Sequence, residues 1–249
     1  MHMADRELLL ARGLFVAEGR LVVQRVIEHS QLAVHSLLLS DAAHEALSAD
    51  LARLPAETPV FVCSAGLFQN VTGYHIHRGC LALVERPAAA SMIDVIDDAR
   101  LVVVLDAVAD PDNVGGVFRN AAAFGADAVL LSPTTCDPLY RKAIRTSMAA
   151  TLVLPFANLE PWPEALDELR ALGFTLVAAT PDADARELDD AAEAVRRSSA
   201  IALLVGSEFA GLSVAARERA DLQVRIAIGP EVDSLNVAVA TAILLYEMR

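Results

Sequence analysis

Residues 101–131 are LVVVLDAVADPDNVGGVFRNAAAFGADAVLL. LVVVLDAV is an almost unbroken apolar run of the kind that forms a strand buried on both faces, since a half-solvated strand would alternate. ADPDNVGG brings turn and cap residues beside a pair of small ones, a helical pattern follows, and ADAVLLS resumes the buried strand character. Strand, helix and strand within about 30 residues predict a parallel βαβ unit.

Working outward, the same strand type recurs as FTLVAAT (174–180), AIALLVG (200–206) and LQVRIAI (222–228), separated by helical patterns. Residues 100–249 are therefore expected to form a parallel sheet covered on both faces. The last stretch, SLNVAVATAILLYEM (234–248), has the apolar density of a core-packed helix and is too short for a bilayer. Towards the N-terminus, residues 1–85 read as a smaller α/β unit. It has a helical pattern to about Ser30, an apolar run HSLLLS and a short helix from Asp41. The strand-like PVFVCS, the segment LFQNVTGYHIHRG and a final strand LALVE follow. ERPAAAS breaks the periodicity, so residues 86–99 are assigned to a linker and entry segment.

Composition bounds the function. Of 249 residues, 55% are hydrophobic and 21% charged, with 12 Gly and 11 Pro, which excludes a disordered chain. Cys63, Cys80 and Cys136 are odd in number and form no C-x-x-C, so neither a disulfide framework nor a zinc site is expected. The start mixes acids and bases before any apolar run, and no apolar segment has the roughly 20 residues of a membrane span. A cytoplasmic protein without metal is the expectation. The net charge of −13 opposes nucleic-acid binding when taken globally. Phosphate contacts are local, however, and Arg141, Lys142 and Arg145 form a concentrated basic patch while the acids gather from Asp182 to Glu193.

Ligands of a parallel sheet bind beyond the carboxyl ends of its strands. Three such junctions carry polar clusters. Asn113 and Arg119 flank a Gly-Gly pair after the first strand, SEFAGLS follows AIALLVG, and GPEVDSLN follows LQVRIAI. Each has a plainer structural reading. Asp112 or Asn113 can cap a helix, Gly115 and Gly116 can permit close packing, Gly206 can end a strand, and Glu208 suits a helix N-terminus. The ordered combination is harder to set aside.

DNVGGVFRNAAAFGADAV, LLVGSEFAGLS and IAIGPEVDSLNVAVATAILLYE together resemble the three motifs of the SpoU, or TrmH-type, RNA 2′-O-ribose methyltransferases of the SPOUT superfamily. The likeness spans residues 101–249. It implies a parallel-sheet SPOUT domain with a C-terminal trefoil knot, an arrangement that general topology makes very rare. It further implies transfer of a methyl group from S-adenosylmethionine to a ribose 2′-hydroxyl. Catalytic roles would fall to Asn113, Arg119, Glu208, Ser234 and Asn236, and the cofactor pocket would be lined by Thr180, Gly206, Ile226, Ile228 and Leu235. A homodimer is implied as well. Residues 1–85 resemble, through LFVAEGRLVVQRVI and VTGYHIHRGCLALVE, the small RNA substrate-binding domain that often precedes this catalytic domain, and this favours ribosomal over transfer RNA. His75 and His77 are expected at the surface or on RNA, since no third ligand accompanies them. The chain departs from the pattern at Ala227, where the family has Pro, at Ile228, where it has Met, and near Pro230, where a Gly is expected.

Chemically, a sulfonium methyl needs little activation, so the demand falls on placing the ribose hydroxyl and removing its proton. Arg119 stays protonated and offers a donor fork suited to a phosphate and to developing oxyanion character. Two other functions compete. A nicotinamide-dependent oxidoreductase would need a G-x-G-x-x-G that DNVGGVFRN does not supply. A non-catalytic RNA-binding protein of the same fold would not need the complete Asn, Arg, Glu, Ser and Asn set.

Overall fold

The structure, a computed structural model, describes residues 5–29, 31–72 and 79–248. His75 and His77 lie outside the described residues. The chain separates into two compact units, residues 1–88 with 138–153, and residues 89–137 with 154–249.

In the first unit, α1 (Asp5–Arg12), β1 (Leu14–Glu18), α2 (Arg20–Glu28), β2 (Val34–Ser40), α3 (Asp41–Ala46), α4 (Ser48–Leu51), β3 (Val60–Cys63), α5 (Ala65–Thr72) and β4 (Cys80–Glu85) build a four-stranded sheet in the order β1-β4-β2-β3. β4 runs antiparallel to both neighbours, and β2 pairs β3 in parallel. The helical pattern expected up to Ser30 is interrupted by β1. Gly13 and Gly19, with φ of 62° and 96°, release the chain from helix on either side of LFVAE, whose Phe15 and Ala17 alternate into the core.

The second unit begins with α6 (Met92–Ile96), held by a capping box between Ser91 and Asp94, and β5 (Leu101–Asp106). α7 (Pro111–Phe124) starts at an Asp110 cap with proline in its first position and stops at left-handed Gly125. After β6 (Ala128–Leu131) the chain contributes α8 (Arg141–Thr146) to the first unit, where it packs on β1. The second unit is therefore not continuous over 100–249. Residues 138–153 leave it because α8 buries Ala143 and Ile144 in the first unit.

The rest of the chain comprises β7 (Phe156–Asn158), α9 (Ala165–Ala171), β8 (Phe174–Ala179), β9 (Arg186–Glu187), α10 (Leu188–Arg196), β10 (Ala200–Gly206), α11 (Val214–Arg219), β11 (Leu222–Arg225) and α12 (Val237–Met248). The sheet order is β7-β6-β5-β10-β8-β11-β9, and every pairing is parallel. One face carries Val102, Val104, Leu130, Leu176 and Leu204 against α6, α9 and α11. The alternate residues, including Val103, Val177 and Leu203, are equally buried, which is why these strands read as unbroken apolar runs. β11 ends at Arg225, earlier than LQVRIAI suggests, and residues 226–236 run as irregular chain to α12. Arg225 pairs with Glu187 on β9, and the Gly229-Pro230 dipeptide beyond cannot extend the ladder.

Candidate active site

The first junction is placed by helix packing. Gly116 lies on α7 where a Cβ would come within 2.7 Å of the Ala238 Cβ on α12. Gly116 therefore lets the two helices approach closely. Asn120, one turn further, donates from Nδ2 to the Ala238 carbonyl at 2.7 Å and fixes the pair in register. The start of α7 and the start of α12 are thereby brought side by side from positions 123 residues apart.

At that meeting point Asn236 is fully committed. Its Oδ1 accepts from the backbone N–H groups of Ala238 at 2.9 Å and Val239 at 3.3 Å, capping α12. Its Nδ2 donates to Asn113 Oδ1 at 2.9 Å and to Glu208 Oε1 at 2.8 Å. Both amide protons and the carbonyl oxygen are thus used, which settles the amide orientation and makes Asn236 an organiser of the other two residues. Asn113 is buried and accepts at its Oδ1 from Asn236, and its own N–H groups carry no hydrogen bond among the described residues. Glu208 keeps its second carboxylate oxygen.

The second junction is shaped by Gly206. A Cβ there would lie 2.1 Å from the carbonyl carbon of Gly211, because residues 207–211 fold back on themselves. The Ser207 and Gly211 backbones exchange hydrogen bonds of 3.1 and 2.9 Å, and the Ser207 Oγ accepts from Ala210 N at 3.2 Å. Gly211 takes a φ of 64° to close the turn. Asp106, at the buried end of β5, accepts from Ser213 N at 2.7 Å and ties this loop to the neighbouring strand. Asp106 was not among the expected site residues. The signal for it was a carboxylate ending an otherwise apolar strand.

Between these loops lies a cavity of about 400 Å³. Thr180, Gly206, Ile226, Ile228 and Leu235 all line it, as do Glu208 and Ser234. Its walls are apolar at Val205, Leu212, Val224 and Leu244 and acidic at Asp182, Glu208 and Asp233, with Arg217 the one basic side chain on the lining. Arg217 is engaged with Asp182 at 2.6 Å. Asp182, Asp233 and Arg217 were not among the expected site residues: Asp182 was visible only as the start of an acidic run, Asp233 only as a neighbour of Ser234 in the third motif, and Arg217 not at all.

Arg119 stands apart. Six residues along a helix turn the side chain about 120° away from that of Asn113, and Arg119 is exposed on α7 with no side-chain hydrogen bond or ion pair among the described residues. Among the described residues no group of His, Cys, Asp and Glu side chains could hold a metal, and no helix is long and apolar enough to cross a membrane.

Comparison with known proteins gives the family. The model of the SpoU rRNA Methylase family matches residues 100–246. An uncharacterised tRNA/rRNA methyltransferase of Mycobacterium tuberculosis is 42% identical over 99% of this chain and 85% of its own. The 23S rRNA (guanosine(2553)-2′-O)-methyltransferase RlmP of Bacillus subtilis is 31% identical over 90% of this chain and 88% of its own. Among solved structures, the SpoU methyltransferase AviRb of Streptomyces viridochromogenes in complex with the cofactor AdoMet superposes with a TM-score of 0.79 at 26% identity, covering 98% of this chain and 92% of that one. On the match over 100–246 and the near full-length relatives, the chain belongs to the SpoU rRNA methylase family.

Proposed function

We propose that the protein transfers a methyl group from S-adenosylmethionine to a ribose 2′-hydroxyl of RNA, with ribosomal RNA the substrate. The observation that carries this reading is the Asn113–Asn236–Glu208 network, which joins three strand-end junctions beside the cavity. RlmP and related 23S rRNA 2′-O-methyltransferases among the relatives support the ribose target, and AdoMet-bound neighbours support the cofactor.

The cavity residues fit that cofactor. Apolar walls suit an adenine, while the excess of acid at Asp182, Glu208 and Asp233 suits a ligand bearing a sulfonium and an ammonium. Thr180, Gly206, Ile226, Ile228 and Leu235 would hold it, largely through backbone. The departures at Ala227, Ile228 and Pro230 fall in the irregular 226–236 segment. Backbone contacts there tolerate a change of side chain.

The bound cofactor supplies an electrophilic methyl. Asn113 donates to the ribose from the N–H groups that Asn236 leaves unused, and Glu208, itself held by Asn236, fixes the loop at the cavity wall. Ser234 lies on the lining and can accept or donate at the reacting hydroxyl. Arg119 orients a substrate phosphate and stabilises oxyanion character as the hydroxyl oxygen takes the methyl and its proton passes to solvent, with S-adenosylhomocysteine the product released.

The site is read as completed in a homodimer. α12 exposes Val239, Ile243 and Tyr246 on one stripe, an apolar surface with helical spacing. Exposed Arg119 lies on α7, the helix packed against α12. Light scattering is expected to give a dimer, and a monomer at working concentrations would contradict this element. The C-terminal trefoil knot and the RNA-binding role of residues 1–85 belong to the same reading. The parallel order β5-β10-β8-β11, with α12 returning to α7, supports the first.

The test is methyl transfer from labelled S-adenosylmethionine to RNA by purified wild-type and Arg119→Ala protein, with S-adenosylhomocysteine binding measured alongside. The expected result is transfer by the wild type, transfer slowed about 10²- to 10³-fold in the variant, and equal affinity for S-adenosylhomocysteine. Undiminished turnover by the variant would remove Arg119 from the mechanism.

A further inference from the structure

Residues 138–153, PLYRKAIRTSMAATLV, contain three bases and no acid in a chain of net charge −13. They are inserted between two strands of the parallel sheet yet belong to the first unit. With them that unit carries 10 basic and 9 acidic residues, against 10 and 24 in the second. Without them its sign would reverse.

Their placement is organised from below by one carboxylate. Glu18, at the end of β1, is only 6% exposed, and both Arg141 and Arg145 of α8 are drawn to it, at 3.9 and 3.8 Å. α2 ties the far end of the segment, where the Arg25 guanidinium donates to the Met148 carbonyl. Met148 and Ala149 sit in the left-handed region, with φ of 53° and 67°, and the Ala149 N–H donates to the Ile144 carbonyl at 2.9 Å. α8 is therefore clamped at both ends.

A buried carboxylate needs one cationic partner, and Glu18 has two at nearly equal range, Arg141 at 3.9 Å and Arg145 at 3.8 Å, one more than its charge balances. A second arginine four residues along the same helix repels the first, which costs stability. Arg145 is 55% exposed, and its 3.8 Å approach to Glu18 lies outside hydrogen-bond reach. Its attraction to Glu18 is Coulombic only, and its fork of N–H donors stays available towards solvent. Lys142, exposed on the same short helix, adds to the local positive potential.

Resting on the methyltransferase reading above, we propose that the exposed face of α8, with Arg145 at its centre, binds a backbone phosphate of the substrate RNA. Arg145 would thus position the RNA without touching the reacting atoms. A guanidinium fork matches phosphate oxygens in shape and charge, and the buried carboxylate beneath it keeps the helix in place.

The test is the affinity of a fluorescein-labelled RNA hairpin across a series of salt concentrations. It is measured for wild type, Arg145→Ala and Arg145→Lys, together with methyl transfer and S-adenosylhomocysteine binding. Arg145→Ala should weaken RNA binding several-fold and lower the log–log salt slope by about 0.7 to 0.9, the value for one lost phosphate contact. Its KM for RNA should rise while kcat at saturating RNA, cofactor affinity and thermal midpoint hold. Arg145→Lys should keep the wild-type slope with a smaller loss of affinity. Wild-type affinity and slope in Arg145→Ala, in a preparation whose wild type methylates RNA, would overturn this inference and leave the functional reading standing. A wild type that neither binds nor methylates RNA would overturn both.

Discussion

The two units of this protein are both α/β, yet they handle charge in opposite ways. The second holds a net charge of −14 and surrounds its cavity with Asp182, Glu208 and Asp233, while the groups linked at the strand ends are mostly neutral amides. The first is close to electroneutral and uses its buried carboxylate, Glu18, to carry arginines on an outer helix. The contrast shows how a strongly acidic chain can act on a polyanion. The acidity is concentrated in the unit that would hold a cationic cofactor, and a segment borrowed from within that unit's sequence gives the other unit its positive sign. Whole-chain charge averages these two roles away.

If chemistry belongs to the second unit and RNA retention to the first, substitutions should separate cleanly. The largest effect is expected from Arg119→Ala, which should lower kcat by about 10²- to 10³-fold, the usual loss for one donor to a developing oxyanion. RNA affinity should change far less. An equal loss in both readouts would mean that Arg119 mainly retains RNA, and the division between units would fail. Gly206→Ala comes next. Its Cβ would fall 2.1 Å from backbone that closes the 207–211 loop, so cofactor binding should be lost, as calorimetry would show, with RNA affinity kept. Normal cofactor binding would mean that this loop does not shape the site.

Gly116→Ala should cost about 1–3 kcal/mol in urea unfolding by forcing α7 away from Ala238. Asn236→Ala should cost about 1 kcal/mol for the lost cap of α12, plus a drop in kcat as Asn113 and Glu208 lose their common partner. A loss of stability without a loss of turnover would reduce Asn236 to a cap. The smallest effect concerns the first unit alone. Burial pushes the Cys80 thiol up to about 12, with Arg20 acting weakly in the other direction. The unfolded thiol ionises near about 8.5. The folded protein therefore keeps a proton that the unfolded chain gives up. This contribution to stability is intact below about pH 8.5 and is lost as the pH climbs towards 12. Cys80→Ala should flatten that alkaline decline, and an unchanged decline would assign it to other groups.

Much of the second unit was legible because its strands are buried on both faces and so leave unbroken apolar runs at 101–108, 174–180 and 200–206. Strand-end junctions could then be found by position alone, and family likeness singled out residues within them. What the runs could not show was pairing. β1 was hidden inside a helical pattern because its five residues carry only two core positions, and the glycines that isolate it act through φ. The departure of 138–153 to the other unit depends on the contact of α8 with β1, over a separation in sequence that no local pattern records. Within the site, motif order pointed to Asn113, Glu208 and Asn236. That Asn236 spends every polar atom on its neighbours, and that Asp106 braces the loop from an adjacent strand, follow only from the fold.

The proposed methyl transfer is tested by a map of 2′-O-methylated positions in cellular ribosomal RNA with and without the gene, completed by adding back wild-type and Arg119→Ala protein. One methylated ribose is expected to disappear on deletion, return with the wild type and stay absent with the variant. Identical maps in ribosomal RNA with and without the gene would contradict the proposed transfer.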